Sequence, residues 1–159
     1  MASRTEGASV IDAAGFAVRR SIRIAAPAEK VWRAVAEPEH MSRWFGRTEL
    51  EGTGVGATGT MTFGPDDVIP LRVQQIDEPR LISYRWSNDD ALGHRPAELD
   101  EDTSTVFTFT LEPVDGGTLL TVVETGFDRT SDAAVNMEEH RTGWDLELDK
   151  LVALVEAEA

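Results

Sequence analysis

The sequence predicts an α+β fold in which a curved antiparallel sheet of about seven strands wraps around a long C-terminal helix. Three observations lead to this prediction. Several segments between residues 16 and 125 alternate apolar and polar residues with the period of strands. Turn sequences, rather than helical crossovers, separate most of these strands, which indicates antiparallel hairpins. Residues 132–157 instead carry apolar residues at helical spacing.

The first strand is predicted where apolar residues, with one arginine among them, occupy alternate positions: Phe16, Val18, Arg20, Ile22 and Ile24. Residues 1–14 before it are small and polar, and we expect a flexible tail. Pro27 suits a first helical turn, and a short helix runs from it to Pro38. A second short helix starts at Pro38 and stops at Gly46. We expect residues 15–159 to form a single domain.

Further strands are predicted at Thr48–Leu50, Thr60–Phe63, Ile69–Ile76, Leu81–Trp86, Thr105–Leu111 and Thr118–Thr125. The sequence Gly54–Gly59 has the spacing of a dinucleotide-binding loop. However, a strand follows it where such a loop requires a helix, so we interpret it as a hairpin. The long irregular stretch Ser87–Ser104 is acidic but lacks calcium-ligand spacing, and we interpret it as a solvated loop or a lid.

The final helix has an apolar stripe made of Met137, His140, Arg141, Trp144, Leu148, Leu151, Val152 and Val155. Such a stripe needs an apolar surface to cover it, and the sheet provides one. Leu146 and Ala153 lie on the opposite side of the helix, which is a weak indication of a homodimer.

Charge and composition exclude several classes of function. The 159 residues include 29 acidic and 15 basic side chains, giving a net charge of −14, which argues against binding nucleic acid or an anionic membrane. No cysteine is present, which excludes disulfides, thiol nucleophiles and zinc–thiolate sites. The three histidines show no metal-ligand spacing, so we expect no metal and no cofactor. Without a signal sequence or a membrane-spanning run, we expect a cytoplasmic protein.

Three segments resemble the START-like, or SRPBCC, superfamily, and within it the AHSA1-like branch related to the C-terminal domain of the Hsp90 ATPase activator Aha1. They are Ile24–Trp32, Pro38–Gly46, and the His140-Arg141-Thr142-Gly143-Trp144 run with Leu148 and Leu151. The resemblance implies a helix-grip fold whose sheet and last helix enclose a deep, mostly apolar cavity. The sequence departs from the family pattern at one position, because Glu124 stands where relatives often have histidine before a Ser-Gly-Phe turn.

Candidate ligand-binding residues are apolar side chains in the inward phase of the predicted elements, together with two charged groups that share this phase. They are Trp44, Met61, Phe63, Leu71, Val73, Tyr84, Trp86, Phe107, Phe109, Glu124, Met137, Arg141, Trp144 and Leu148. The apolar members form either an ordinary filled core or the lining of a cavity. The resemblance favours a cavity for a flat or elongated apolar guest.

Three charged residues occupy positions on the apolar faces of predicted elements: Arg20, Glu124 and Arg141. Buried charges require partners. The sheet order of the family places Arg20 near Glu124. We therefore expect either a structural ion pair at the cavity edge, with Arg141 extending its charged end to the surface, or a site in which Glu124 and an arginine orient the polar end of a ligand. If Glu124 were buried with incomplete pairing, its pKa would rise and it could act as a general acid or base.

These features together predict a protein that binds a small apolar or aromatic molecule without a metal or cofactor. Two alternatives stay open. One is a polyketide-cyclase-like, aromatase-like or hydrolase-like enzyme that uses Glu124 with Arg20, Arg141 or Tyr84. The other is a chaperone-partner module, although the sequence contains no counterpart of the N-terminal domain that Hsp90 activators also need.

Overall fold

An eight-stranded antiparallel sheet forms most of the molecule, and the computed structural model describes residues 8–157 of it. The strands are β1 (Val10–Asp12), β2 (Ala17–Ile24), β3 (Arg47–Glu51), β4 (Thr58–Gly64), β5 (Asp67–Asp77), β6 (Leu81–Trp86), β7 (Thr105–Val114) and β8 (Gly117–Thr125). Their order across the sheet is β1-β2-β8-β7-β6-β5-β4-β3. The sheet curves without closing, and the predicted fold class is confirmed.

The predicted N-terminal tail differs from the structure over its last residues. Residues 1–7 lie outside the described part, but Val10–Asp12 forms an edge strand paired with β2. Three residues are too few to show an alternating pattern, so this strand was not predicted. Phe16 was predicted on the buried face of the first strand. It instead has a φ of 51° in the turn before β2 and is 38% exposed.

Within residues 8–157, three helices complete the fold: α1 (Ala28–Ala36), α2 (Pro38–Met41) and α3 (Ala133–Ala157). Short 3-10 turns occur at Asp90–Leu92 and Phe127–Arg129. α3 packs against β1 and β2 and also contacts α1. Its buried residues are Asn136, Met137, His140, Trp144, Leu148, Leu151 and Val155, which confirms most of the predicted stripe.

The hairpin interpretation of the Gly54–Gly59 segment is confirmed, because this segment joins the antiparallel strands β3 and β4. Gly54 and Gly56 have φ values of 79° and 95°, which side-chain-bearing residues rarely adopt. No helix follows the segment, so its amide groups are not arranged as a helix N-terminus facing a phosphate.

Aromatic rings fill the space between the sheet and the helices. The ring centroids of Phe107 lie 4.5 Å from Trp86, 5.2 Å from Tyr84 and 5.3 Å from Trp144. The Tyr84 hydroxyl donates a hydrogen bond to the Val35 carbonyl oxygen at 2.6 Å. The space between these rings is therefore filled by side chains.

Candidate functional site

Glu124 is the centre of a buried polar cluster. It follows the inward-facing Leu120 and Val122 on β8, and its side chain is 0% exposed. Its Oε1 accepts hydrogen bonds from His140 Nδ1 at 2.8 Å and from Trp144 Nε1 at 2.9 Å. Its Oε2 accepts from Trp86 Nε1 at 2.8 Å and from the Thr105 hydroxyl. Four donors therefore surround one carboxylate.

Spacing along α3 explains why two of these donors meet the same oxygen. His140 and Trp144 are four residues apart, so both point from one face of the helix toward β8. Trp86, at the end of β6, reaches the same carboxylate across β7.

His140 lies between two carboxylates. Nδ1 contacts Glu124, and Nε2 is 3.2 Å from Asp90 Oδ2. Burial alone would lower the pKa of His140, but Glu124 and Asp90 outweigh burial and raise it to about 10. At neutral pH the ring is therefore an imidazolium, and both of its nitrogens are donors.

The condition under which the pKa of Glu124 was expected to rise, incomplete pairing, is not met. Burial acts to raise this pKa, but His140 and the surrounding donors hold it below the ordinary value. The carboxylate is charged at neutral pH and its oxygens are occupied. This environment suits an acceptor that fixes its neighbours better than a group that exchanges protons.

The predicted proximity of Arg20 to Glu124 does not lead to an ion pair between them. On β2, Val18 is opposite Glu124 and Arg20 is opposite Val122. The long Arg20 side chain extends to α3, where it donates to the carbonyl oxygens of Trp144 and Asp145 at 3.1 and 2.8 Å. It also contacts Asp149 at 2.7 Å. Arg20 therefore ties the first long strand to the last helix.

Arg141 was predicted within the apolar arc of the last helix, with its charged end either at the surface or oriented toward a ligand, and the structure places that end at the surface. Its side chain is 33% exposed and contacts Glu138, and it lies 3.7 Å from Asp145. These acidic residues are three and four positions away on the helix surface, where they hold the guanidinium outside the core.

A partly open pocket of about 160 Å³ adjoins the polar cluster. Four aromatic rings form much of its wall: Phe45, Phe63, Trp86 and Trp144. Polar side chains form most of the remainder: Asp67, Asn88, Asp90, Arg95, Glu139, His140 and Glu147. Ile69 and Gly143 complete the lining. One pocket thus combines an aromatic wall with the outer face of the buried imidazolium.

The predicted site residues separate into groups. Phe63, Trp86 and Trp144 line the pocket, and Glu124 lies behind two of them. Arg141 is on the surface. The others are buried in the core and do not line this pocket: Trp44, Met61, Leu71, Val73, Tyr84, Phe107, Phe109, Met137 and Leu148.

The acidic loop borders the pocket through Asn88, Asp90 and Arg95. Arg95 donates to Asp67 at 2.8 Å and to Asp90 at 2.7 Å, so it joins the loop to β5. Asp89 accepts from the Asn136 side chain at 2.8 Å and from Ser131 N at 2.7 Å, which fixes the other side of the loop at the start of α3.

These loop residues, with Phe45 and Glu147, were absent from the predicted site. His140 was visible only as a polar member of the helical stripe. That position was the available signal for a buried imidazole, because it required a polar partner.

Within residues 8–157, no group of three or more His, Asp or Glu side chains is arranged to hold a metal ion. The helices described there include none with the length and apolar character needed to cross a bilayer.

Leu146 is 60% exposed on α3, and Ala153 is exposed as well. These positions agree with the predicted outer face of the helix. Homodimerisation through this face stays a prediction, which sedimentation analysis of the protein would test.

An open antiparallel sheet curved around a long C-terminal helix, with a pocket between them, defines a helix-grip protein of the START-like class. The model of one family within this class, described as "Activator of Hsp90 ATPase homolog 1-like protein", matches residues 25–156. The chain belongs to this family. No curated protein matches the sequence.

Solved structures share the fold. Protein MLL2253 from Mesorhizobium loti is 25% identical, with a TM-score of 0.73 over 90% of this chain and 98% of that chain. DynU16, a protein of the dynemicin biosynthetic locus, is 26% identical with a TM-score of 0.69, and the match covers 88% of this chain and 47% of that chain. The Aha1 dimer from Colwellia psychrerythraea, at 18% identity, covers 88% of this chain and 96% of that chain with a TM-score of 0.68, which shows a common fold.

Proposed function

We propose that this protein binds a small aromatic molecule in the pocket between β4, β6 and α3. One observation carries the proposal. The pocket brings four aromatic rings together with His140 Nε2, a buried nitrogen whose contact with Asp90 Oδ2 at 3.2 Å is not an aligned hydrogen bond. Buried polar groups are normally hydrogen-bonded, so a donor that lacks an aligned acceptor at the pocket favours a ligand that supplies one.

The size of the pocket limits the ligand. Its volume of about 160 Å³ is close to the roughly 150 Å³ of an engineered apolar cavity that holds benzene. One aromatic ring with small substituents therefore fits, and longer substituents extend through the open side. The Phe45 ring centroid lies 5.4 Å from Trp144 and 5.5 Å from Phe63, so the walls offer both ring faces and ring edges.

The Glu124–His140 pair provides the polar anchor of this binding mode. Glu124 fixes Nδ1, so Nε2 is held at the pocket wall beside Asp90. We expect an oxygen substituent of the ligand to accept from Nε2. Because Trp86 and Trp144 donate to the same carboxylate, the anchor and the aromatic wall are held in one arrangement.

The geometry supports binding better than the enzyme alternative. Glu124 has an occupied, low-pKa carboxylate, and Arg20 and Arg141 lie away from the pocket lining. The Tyr84 hydroxyl is bonded to a backbone carbonyl in the core, where burial raises its pKa above the ordinary value. The origin of DynU16 in a biosynthetic locus also supports a small-molecule ligand for this related chain.

Calorimetric titration with phenol tests the proposal, with cyclohexanol as a non-aromatic probe of similar size. We expect phenol to bind more tightly, and amide shift changes in NMR spectra to surround the pocket. Phe63→Ala removes a ring from the wall and should weaken phenol binding about fivefold or more. Val68→Ala is the control, because Val68 is 40% exposed, Phe63 is 39% exposed, and only Phe63 lines the pocket.

Absence of phenol binding, or shift changes confined to another surface, would contradict the proposal. Equal weakening in Phe63→Ala and Val68→Ala would also contradict it. Interaction with a chaperone is the remaining alternative, which co-purification of the protein with Hsp90 would support.

A further inference from the structure

Three polar atoms of residues that line the pocket lack an aligned hydrogen bond, which an apolar guest cannot supply. Among the described residues, buried side-chain atoms without a hydrogen-bond partner are Asn88 Oδ1, His140 Nε2, Glu147 Oε1 and Arg85 Nε. The first three belong to residues that line this one pocket. Their shared location indicates that the pocket is built for a ligand with its own hydrogen-bonding groups.

Glu147 is the lining residue that most narrowly limits the chemistry of the ligand. A charged carboxylate only accepts hydrogen bonds, so its partner in the pocket must be a donor. The Lys150 ammonium lies 2.8 Å from Glu147 Oε1 without forming an aligned hydrogen bond, and the Lys150 side chain is 49% exposed. Glu147 also lines the pocket, where a cationic group of a ligand would share its carboxylate with Lys150. The Asn88 carbonyl oxygen adds a second acceptor.

The net charge of the side chains that line the pocket also favours a ligand that donates hydrogen bonds. Four carboxylates line the pocket (Asp67, Asp90, Glu139 and Glu147), against two cationic groups. Both cations are already engaged: Arg95 by Asp67 and Asp90, and His140 by Glu124 and Asp90. A further negative charge would meet repulsion here, whereas a positive charge would find a carboxylate and aromatic faces.

We infer that the ligand is an arylalkylamine, whose ammonium group donates to Glu147 and whose ring lies against Trp86 and Trp144. This inference rests on the proposed function and specifies its ligand class. It assigns Glu147 as the residue that determines specificity for amines over alcohols and carboxylates.

Calorimetric titrations at pH 7 with benzylamine, benzyl alcohol and benzoate test the inference. These probes share one ring and differ in the charge of the substituent. We expect benzylamine to bind about tenfold more tightly than benzyl alcohol, because a charge-assisted hydrogen bond replaces a neutral one. Benzoate should bind most weakly of the three.

Glu147→Gln should reduce the advantage of benzylamine to about threefold or less and leave benzyl alcohol binding unchanged. Glu138→Gln is the matched control, since it removes the same charge from the same helix at a residue outside the pocket. Its three affinities should equal those of the unmodified protein.

Equal affinities for benzylamine and benzyl alcohol, or tighter binding of benzoate, would overturn the inference while leaving aromatic binding intact. Equal losses in Glu147→Gln and Glu138→Gln would show a long-range charge effect and would also overturn it. If phenol binds and all three probes fail to bind, the amine assignment alone is wrong. If phenol fails as well, the proposed function itself is wrong.

Discussion

Replacing Glu124 by glutamine tests whether the buried cluster depends on a negative charge. The carboxylate accepts four hydrogen bonds, two at each oxygen. A glutamine amide keeps one acceptor oxygen and places an NH₂ group where the second was. That group faces either Trp86 and Thr105 or His140 and Trp144, all of which donate to the carboxylate, so donors then face donors.

The expected loss of stability comes from His140, the charged partner that stays buried when Glu124 is replaced. Removing one member of a buried ion pair costs about 3–5 kcal/mol, because the other charge stays buried. His140 keeps Asp90 at 3.2 Å, but that contact lies outside aligned hydrogen-bonding geometry. We therefore expect Glu124→Gln to lower the free energy of unfolding by about 3 kcal/mol or more. For a protein with a total of about 5–15 kcal/mol, this is a large fraction.

Urea unfolding followed by far-ultraviolet circular dichroism at pH 7 measures this loss. Glu112→Gln, at an exposed position on the neighbouring strand β7, removes the same charge and should change the free energy by no more than about 0.5 kcal/mol. A loss below about 1 kcal/mol for Glu124→Gln would refute the reasoning, because it would mean that the imidazolium needs no carboxylate at this position.

Three further predictions concern the same core. The folded pKa of His140, about 10, exceeds its unfolded value of 6.5, so its contribution is complete below about pH 6.5 and is lost as pH rises through 10. Urea unfolding across this range should show falling stability, and His140→Gln should flatten the slope. Leu148→Ala should cost about 2–5 kcal/mol because Leu148 is 0% exposed, whereas Leu146→Ala, at 60% exposure, should stay within about 0.5 kcal/mol. Tyr84→Phe should cost about 1 kcal/mol in thermal or urea unfolding, since it removes a buried hydrogen bond to a carbonyl oxygen.

Periodicity was sufficient to predict the longer strands and the last helix. Alternation reports which residues of a strand face the core, and α3 has enough turns to show its apolar side. The edge strand Val10–Asp12 escaped detection, because its stability comes from hydrogen bonds to β2 rather than from an apolar pattern of its own.

The candidate site could be predicted only in part. Glu124 stood out because a charge in the apolar phase of a strand requires a partner. The identity of that partner depends on how α3 is rotated against β8, which sequence spacing does not determine. Arg20 shows the same difficulty, because its side chain is long enough to pass the neighbouring strand and reach the helix.

Residues of the irregular loop were the hardest to predict. Asp90 and Arg95 reach the pocket through tertiary hydrogen bonds and ion pairs, and no periodic pattern records such contacts. Whether aromatic side chains of the strands leave a hollow or fill it is likewise a question of three-dimensional packing. Here Tyr84 and Phe107 stack with centroids 5.2 Å apart and occupy that space.

The two indole groups that share the Glu124 carboxylate make the state of this cluster optically visible. Trp86 and Trp144 both line the pocket, and both donate to one ionisable side chain. Indole emission responds to nearby charge and to contact with water. A change in the protonation of this cluster therefore changes the fluorescence of the unlabelled protein, and binding at the proposed site would change it as well.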